Sequence, residues 1–172
     1  MERILVLVTG GTFDKEYEER DGSLSFRKTH VPEMLSLGRC RLPARVKTLM
    51  MVDSLDMKLE DRRRILEACR RAPEKRIVVT HGTDTMVETA RLLGQNLQGK
   101  TVVLTGAMVP YKFGSSDGLF NLGSALSFVQ ALPPGVSIAM NGRVLPWDDA
   151  RKDKSKGLFE RAFKGYQPIG WQ

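Results

Sequence analysis

The sequence predicts an α/β fold of the doubly wound kind, a mostly parallel sheet with helices on both faces. Three observations predict it. Five short apolar runs read as strands covered on both sides. Helical patterns separate them. Each run then gives way to a loop of small and polar residues. At 172 residues the chain is read as one domain over 1–172, a size that builds a core without disulfide or metal.

The first run, Ile4–Val8, leads into Thr9-Gly10-Gly11-Thr12. The second, Val46–Val52, ends at Asp53-Ser54-Leu55-Asp56. A helix is expected over Glu60–Ala72, where Ile65, Leu66 and Cys69 form the apolar side. There Glu60/Arg64, Arg63/Glu67 and Glu67/Arg71 fall at i,i+4 spacing. The third strand, Arg76–Thr80, opens into His81-Gly82-Thr83-Asp84-Thr85. A helix over Thr85–Leu97 follows, with Met86, Ala90, Leu93 and Leu97 on one face. Thr85 and Glu88 have the spacing of a capping box, and Gly99 lies past the end. The fourth strand, Thr101–Thr105, precedes Gly106-Ala107-Met108 and Ser115-Ser116-Asp117-Gly118. A helix over Asn121–Leu132 is stopped by Pro133-Pro134-Gly135, and Val136–Met140 is the fifth strand, followed by a loop from Asn141 onward to Lys152. Ligands of such sheets bind outside the carboxyl ends of the strands. Five loops should therefore meet at one edge.

A composition of 41% hydrophobic and 27% charged residues excludes disorder and low complexity. The longest apolar run, Ile4–Val8, is far short of the roughly 20 residues of a membrane span and the roughly 7 of a signal-peptide core. A cytoplasmic protein without membrane contact is expected. Cys40, Cys69, His30 and His81 are isolated, so reduced thiols and no metal site are expected. The net charge of +7 concentrates in residues 41–76, which carry +5. The spacing of opposite charges there favours a solvated helix face over a nucleic-acid surface.

Two motif matches fail on context. Gly94 to Thr101 has the letters of a phosphate-binding loop, but it closes a helix and opens a strand, the reverse of the working order. Gly114-Ser115-Ser116-Asp117-Gly118 has the letters of a serine-hydrolase elbow, but no strand enters Ser116 directly and both histidines lie upstream. Asp117 is expected to shape its loop through bonds to the backbone.

Thr12 and Thr83 sit beside glycines in the loops after the first and third strands. A threonine hydroxyl attacks an amide only when a neighbouring base activates it. Asp84 with a nearby lysine offers a proton route; taken singly, each threonine also reads as a turn or cap residue.

These segments resemble a known family. Thr9-Gly10-Gly11-Thr12 and His81-Gly82-Thr83-Asp84-Thr85-Met86 are similar to the two signatures of the bacterial-type L-asparaginases. Leu104-Thr105-Gly106-Ala107-Met108, Ser116-Asp117-Gly118 and Asn121 resemble that family's third block. The resemblance runs from Ile4 to about Gly170.

It implies the fold of the family's N-terminal domain and hydrolysis of L-asparagine to L-aspartate and ammonia, with glutamine a poor substrate and no cofactor. Thr12 corresponds to the nucleophile that forms the acyl-enzyme. Thr83, Asp84 and a lysine form the second catalytic group; Lys152 fits an Asp-x-x-Lys pattern from Asp149, with Lys154 and Lys156 as rivals. Tyr17 resembles the lid tyrosine that polarises the nucleophile, or is a packed loop aromatic. In the Asp53-Ser54 loop, Ser54 would bind the substrate α-carboxylate. Asp84 would hold the α-ammonium, and Gly11, Gly82 and Ala107 would line the pocket. Leu55 stands where the family often has glutamine, and the chain resembles a short, single-domain form, so weaker substrate binding and a homodimer or homotetramer covering the open edge are expected. Two other readings are an ammonia-supplying subunit of a tRNA-dependent amidotransferase and a non-catalytic amino-acid-binding module.

Overall fold

A computed structural model describes residues 2–163. Its centre is a six-stranded sheet. The strands are β1 (Ile4–Gly10), β4 (Ala44–Val52), β5 (Arg76–Thr80), β6 (Thr101–Thr105), β7 (Gly135–Met140) and β8 (Arg143–Pro146). Their spatial order is β4-β1-β5-β6-β7-β8. The first five are parallel, in a register that aligns Leu5 with Ile77, Ile77 with Val102 and Val102 with Val136. β8 turns back antiparallel against β7.

Alternation along the strands divides the apolar residues between two faces. Leu5, Leu7, Ile77, Val79, Val102, Leu104 and Ile138 meet α2 (Leu59–Arg71) and α3 (Met86–Asn96) through Ile65, Cys69, Met86, Ala90 and Leu93. Ile4, Val6, Val8, Val78 and Val103 meet α1 (Val31–Leu37) and α4 (Gly118–Ala131) through Val31, Met34, Leu122, Ala125 and Val129. Both faces are covered, as the near-continuous apolar runs require.

Two small hairpins flank the sheet: β2 (Lys15–Tyr17) with β3 (Leu24–Phe26), and β9 (Ala150–Asp153) with β10 (Leu158–Arg161). Neither, nor α1, is visible in the hydrophobic pattern, because all are short and β2 and β9 are largely polar.

The cap expected at the start of α3 does not form. The Thr85 hydroxyl donates instead to the Ser54 carbonyl at 2.8 Å, and Glu88 accepts from Arg62 at 2.9 Å. Both members of the motif are drawn into longer-range contacts. On α2, Glu67 meets Arg71 at 3.8 Å as its spacing predicts and Arg70 at 2.6 Å. Glu60/Arg64 and Arg63/Glu67 form no ion pair; Arg64 takes Asp61 one turn earlier, at 3.5 Å. The phosphate-loop letters fall on the end of α3 and the start of β6, and the Lys100 ammonium is held by the carbonyls of Ala72 and Glu74.

Candidate active site

The carboxyl ends of β1, β4, β5 and β6 bring four loops together. Opposite β4, the β1 register shifts between Val8 and Gly10. Gly10 and Gly11 then take φ values of 99° and 85°, a region that disfavours side chains. A Cβ on Gly11 would collide with the backbone of His81 and Gly82. A Cβ on Gly82 would lie 2.5 Å from the Ser54 Oγ and 3.0 Å from the Ser54 nitrogen. The loops after β1 and β5 therefore stack backbone on backbone, and the β5 loop rests on the Ser54 side chain of the loop after β4. Thr12 opens a short 3-10 turn, Thr12–Asp14, at the end of this stack. Its half-buried side chain makes no hydrogen bond among the described residues. Ser54 is buried, and its hydroxyl has no partner among the described residues.

Lys152 on β9 reaches the β5 loop. Its Nζ donates to Thr83 Oγ1 at 2.8 Å and to Asp84 Oδ1 at 2.7 Å. The lysine side chain is 8% exposed, while that of Asp84 is 39% exposed and faces solvent. A buried ammonium next to a carboxylate is electrically balanced, and Thr83 lies within its proton-transfer reach. Lys154 and Lys156 are exposed, and Lys156 pairs with Asp153 at 3.3 Å.

Lys152 is held in place from further away. Trp147, in the turn between β8 and β9, lies over Gly94 of α3 so closely that no Cβ fits between them. Asp149 is buried; it accepts from the Phe163 amide at 2.9 Å and pairs with Arg161 at 3.4 Å, tying the two ends of the β9–β10 hairpin.

His81 supports the β5 loop from below. Its Nδ1 lies 2.7 Å from the Gly82 carbonyl and its Nε2 2.8 Å from the Thr89 hydroxyl. The carbonyl can only accept, so Nδ1 carries the proton and Nε2 accepts from Thr89. Burial pushes the imidazole pKa down to about 4, with Arg62 adding to the effect. Gly106 presses against the His81 carbonyl from β6, and Ala107 beside it is buried. Asn121 donates to the Gly106 carbonyl at 2.8 Å and accepts from the Asn141 amide at 2.9 Å, joining the β6 and β7 ends. Asp117 accepts from the Met108 and Val109 amides, and Ser116 donates to the Val109 carbonyl at 2.6 Å. That serine is a loop brace, as its context implied.

The β2–β3 hairpin overhangs the Ser54 loop. Lys15 at its root forms an ion pair with Asp53. The Asp53 carboxyl also accepts from the Leu55 amide at 3.0 Å. Partial burial raises its pKa, but Lys15 and that amide outweigh burial and hold the carboxyl below its usual range. Glu16, on the opposite face of β2, reaches the fully buried His30 at 3.0 Å. Asp14 is buried beneath, accepting from the His30 amide at 2.7 Å, and its burial raises its pKa. Tyr17 is 54% exposed and no hydrogen bond joins it to Thr12.

The basic residues of 41–76 lie elsewhere. A cavity of about 470 Å³ between β4 and α2 is lined by Arg45, Lys47, Arg64 and Arg71. Arg45 is already bound to Glu74 by two bonds of 2.8 and 2.9 Å, and Arg64 and Arg71 hold Asp61 and Glu67. Among the described residues no cluster of three His, Cys, Asp or Glu side chains could hold a metal ion, and no helix is long and apolar enough to cross a membrane.

Thr12, Ser54, Gly11, Gly82, Thr83, Asp84, Ala107 and Lys152 thus meet at one sheet edge, with Tyr17 on the hairpin above. Sequence reasoning missed Lys15, Glu16 and His30 around that hairpin, and the seat of Trp147 on Gly94. An ammonium three residues after Thr12 was the available signal for the first.

The model of the asparaginase N-terminal region matches residues 3–170. A probable periplasmic L-asparaginase of Haemophilus influenzae is 30% identical, covering 99% of this chain and 52% of that protein. The solved thermostable L-asparaginase of Thermococcus kodakarensis superposes with a TM-score of 0.78 at 31% identity, over 92% of this chain and 51% of that one. L-asparaginase I of Vibrio cholerae gives 0.76 at 25% identity, over 93% and 51%. The chain spans about half the length of the relatives it matches.

Proposed function

Because the chain belongs to the asparaginase family, we propose that it hydrolyses the side-chain amide of L-asparagine to L-aspartate and ammonia. The observation that carries this is the Lys152 ammonium within 2.8 Å of Thr83 and 2.7 Å of Asp84, across the glycine stack that ends at Thr12. In this reading Thr12 Oγ1 attacks the amide carbon, ammonia departs with a proton, and an ester on Thr12 is cleaved by water. Thr83, Lys152 and Asp84 handle protons in both halves. Backbone groups of Gly11, Gly82 and Ala107 line the carbonyl's position, where amides stabilise developing negative charge. Tyr17 polarises Thr12 when the β2–β3 hairpin closes over the substrate. Ser54 takes the α-carboxylate, and the solvent-facing Asp84 takes the α-ammonium.

Glutamine fits less well. The spacing of the three stacked loops is set by close contact, backbone on backbone between Gly11 and Gly82 and through the Ser54 side chain beyond, so a carbonyl one methylene further out is misplaced.

Ammonia release by the wild-type protein, Thr12→Ala and Lys152→Met tests the reading. Each substitution should reduce turnover at least about 100-fold. Absence of asparagine turnover in the wild type, or equal turnover in Thr12→Ala, would refute it. L-Aspartate binding without turnover would instead identify an amino-acid-binding module.

A further inference from the structure

We infer that Lys15 is a specificity-determining residue of this site, its ammonium receiving the α-carboxylate of the amino-acid ligand beside the Ser54 hydroxyl. The inference deepens the reading above and rests on it for turnover, but not for binding.

Ser54 presents a buried hydroxyl with no partner. A hydroxyl is neutral, and a carboxylate drawn into a partly buried site needs an opposing cation. Among the described residues, the ammonium groups of Lys152 and Lys15 bond to residues of these loops. Lys152 is 8% exposed and already donates to Thr83 and Asp84. Lys15 is 19% exposed and bonds to Asp53, the residue that immediately precedes Ser54. An ammonium has three N–H donors. Asp53 takes one of those of Lys15, and the Phe26 ring lies 5.9 Å from the nitrogen.

The geometry of β2 fixes the direction. Successive side chains of a strand point to opposite faces. Glu16 points to the buried His30 at 3.0 Å. Lys15 and Tyr17 therefore share the other face, and contact with Asp53 shows that this face looks onto the Ser54 loop. Asp53 itself is anchored by the Leu55 amide at 3.0 Å. The ammonium is thus held beside the loop by one carboxylate while keeping donors for a second.

The test compares ligands that differ only in the α-carboxylate. Titration calorimetry with L-aspartate and with β-alanine, its counterpart lacking that group, is applied to wild type, Lys15→Met and Lys15→Arg. The wild type should prefer L-aspartate by about tenfold or more. The preference should collapse towards unity in Lys15→Met and return in part in Lys15→Arg; Lys15→Gln replaces the methionine variant if that variant does not fold. The same ratio is read in turnover, using L-asparagine against 3-aminopropanamide. If Lys15 only clasps the hairpin, its loss weakens both ligands equally, and an unchanged ratio overturns the inference. So does a wild type with no preference, or with no binding of L-aspartate. A Lys15-dependent preference in a protein that does not hydrolyse asparagine upholds Lys15 and refutes the amidase reading. Hydrolysis with an unchanged ratio refutes Lys15 alone.

Discussion

Lowering the pH from 7 to 4.5 should remove stability that buried, neutral His81 gives this fold. His81 is wholly buried as the neutral imidazole, its pKa about 4 against 6.5 for the free group. Between these values the unfolded chain binds a proton that the folded chain refuses, so stability falls as pH drops through the window and levels off below about 4. The full shift corresponds to about 3 kcal/mol. Linkage over pH 7 to 4.5 gives roughly 2.5 kcal/mol of that. Asp14 opposes the trend, because its raised pKa means that protonation in acid relieves a burial penalty. The comparison is therefore between wild type and His81→Gln, which share every other group. His81→Gln should be less stable at pH 7 by about 1–3 kcal/mol, having lost the bond to the Gly82 carbonyl. Urea unfolding followed by circular dichroism at both pH values reads the difference. The wild-type midpoint should fall by about 1 M more than the variant's, at a urea slope near 2.5 kcal/mol/M. Parallel losses in the two proteins would refute the argument and place the acid sensitivity elsewhere.

Two further outcomes follow from the glycine contacts. Gly11→Ala puts a Cβ into the Gly82 backbone at a φ of 85°; overpacking and backbone strain together should cost at least about 3 kcal/mol, and thermal unfolding that shifts by less than a few degrees would contradict the stacked-loop geometry. Gly94→Ala drives a methyl group into the Trp147 ring. Asparagine turnover should fall with little change in overall secondary structure, because the displaced ring moves the segment that carries Lys152; full activity in this variant would show that Lys152 is placed independently of Trp147.

The sheet was legible because its strands are apolar on both faces. Arg76–Thr80 and Thr101–Thr105 have the bounds that the sequence suggests, and β1 and β4 differ from expectation by two residues where they run on into loops or begin early. The hairpins were not legible. Lys15–Tyr17 and Ala150–Asp153 carry no run of apolar residues, and their contacts are with partners remote in the chain: Lys15 with Asp53, Lys152 with Asp84, and Ala150 with the core beneath α3. Lys152 could be singled out by its spacing from Asp149, yet the path that delivers it, out along β8 and back along β9 over Gly94, has no local signature. Thr85 and Glu88 show the converse error. A capping motif is a claim about neighbours in sequence, and here Ser54 and Arg62 compete successfully for the same polar atoms.

The stack of Gly11 on Gly82 on Ser54 has a consequence for how such a site can change. The contact between Gly11 and Gly82 contains no side chain that a single codon change could trim. New substrate preferences are therefore not accessible through that wall, where nearly every substitution damages the fold before it reshapes the cavity. Laboratory evolution should instead enrich changes at Lys15 and Leu55, whose side chains rise from the hairpin and the Ser54 loop and can vary in length without moving the main chain.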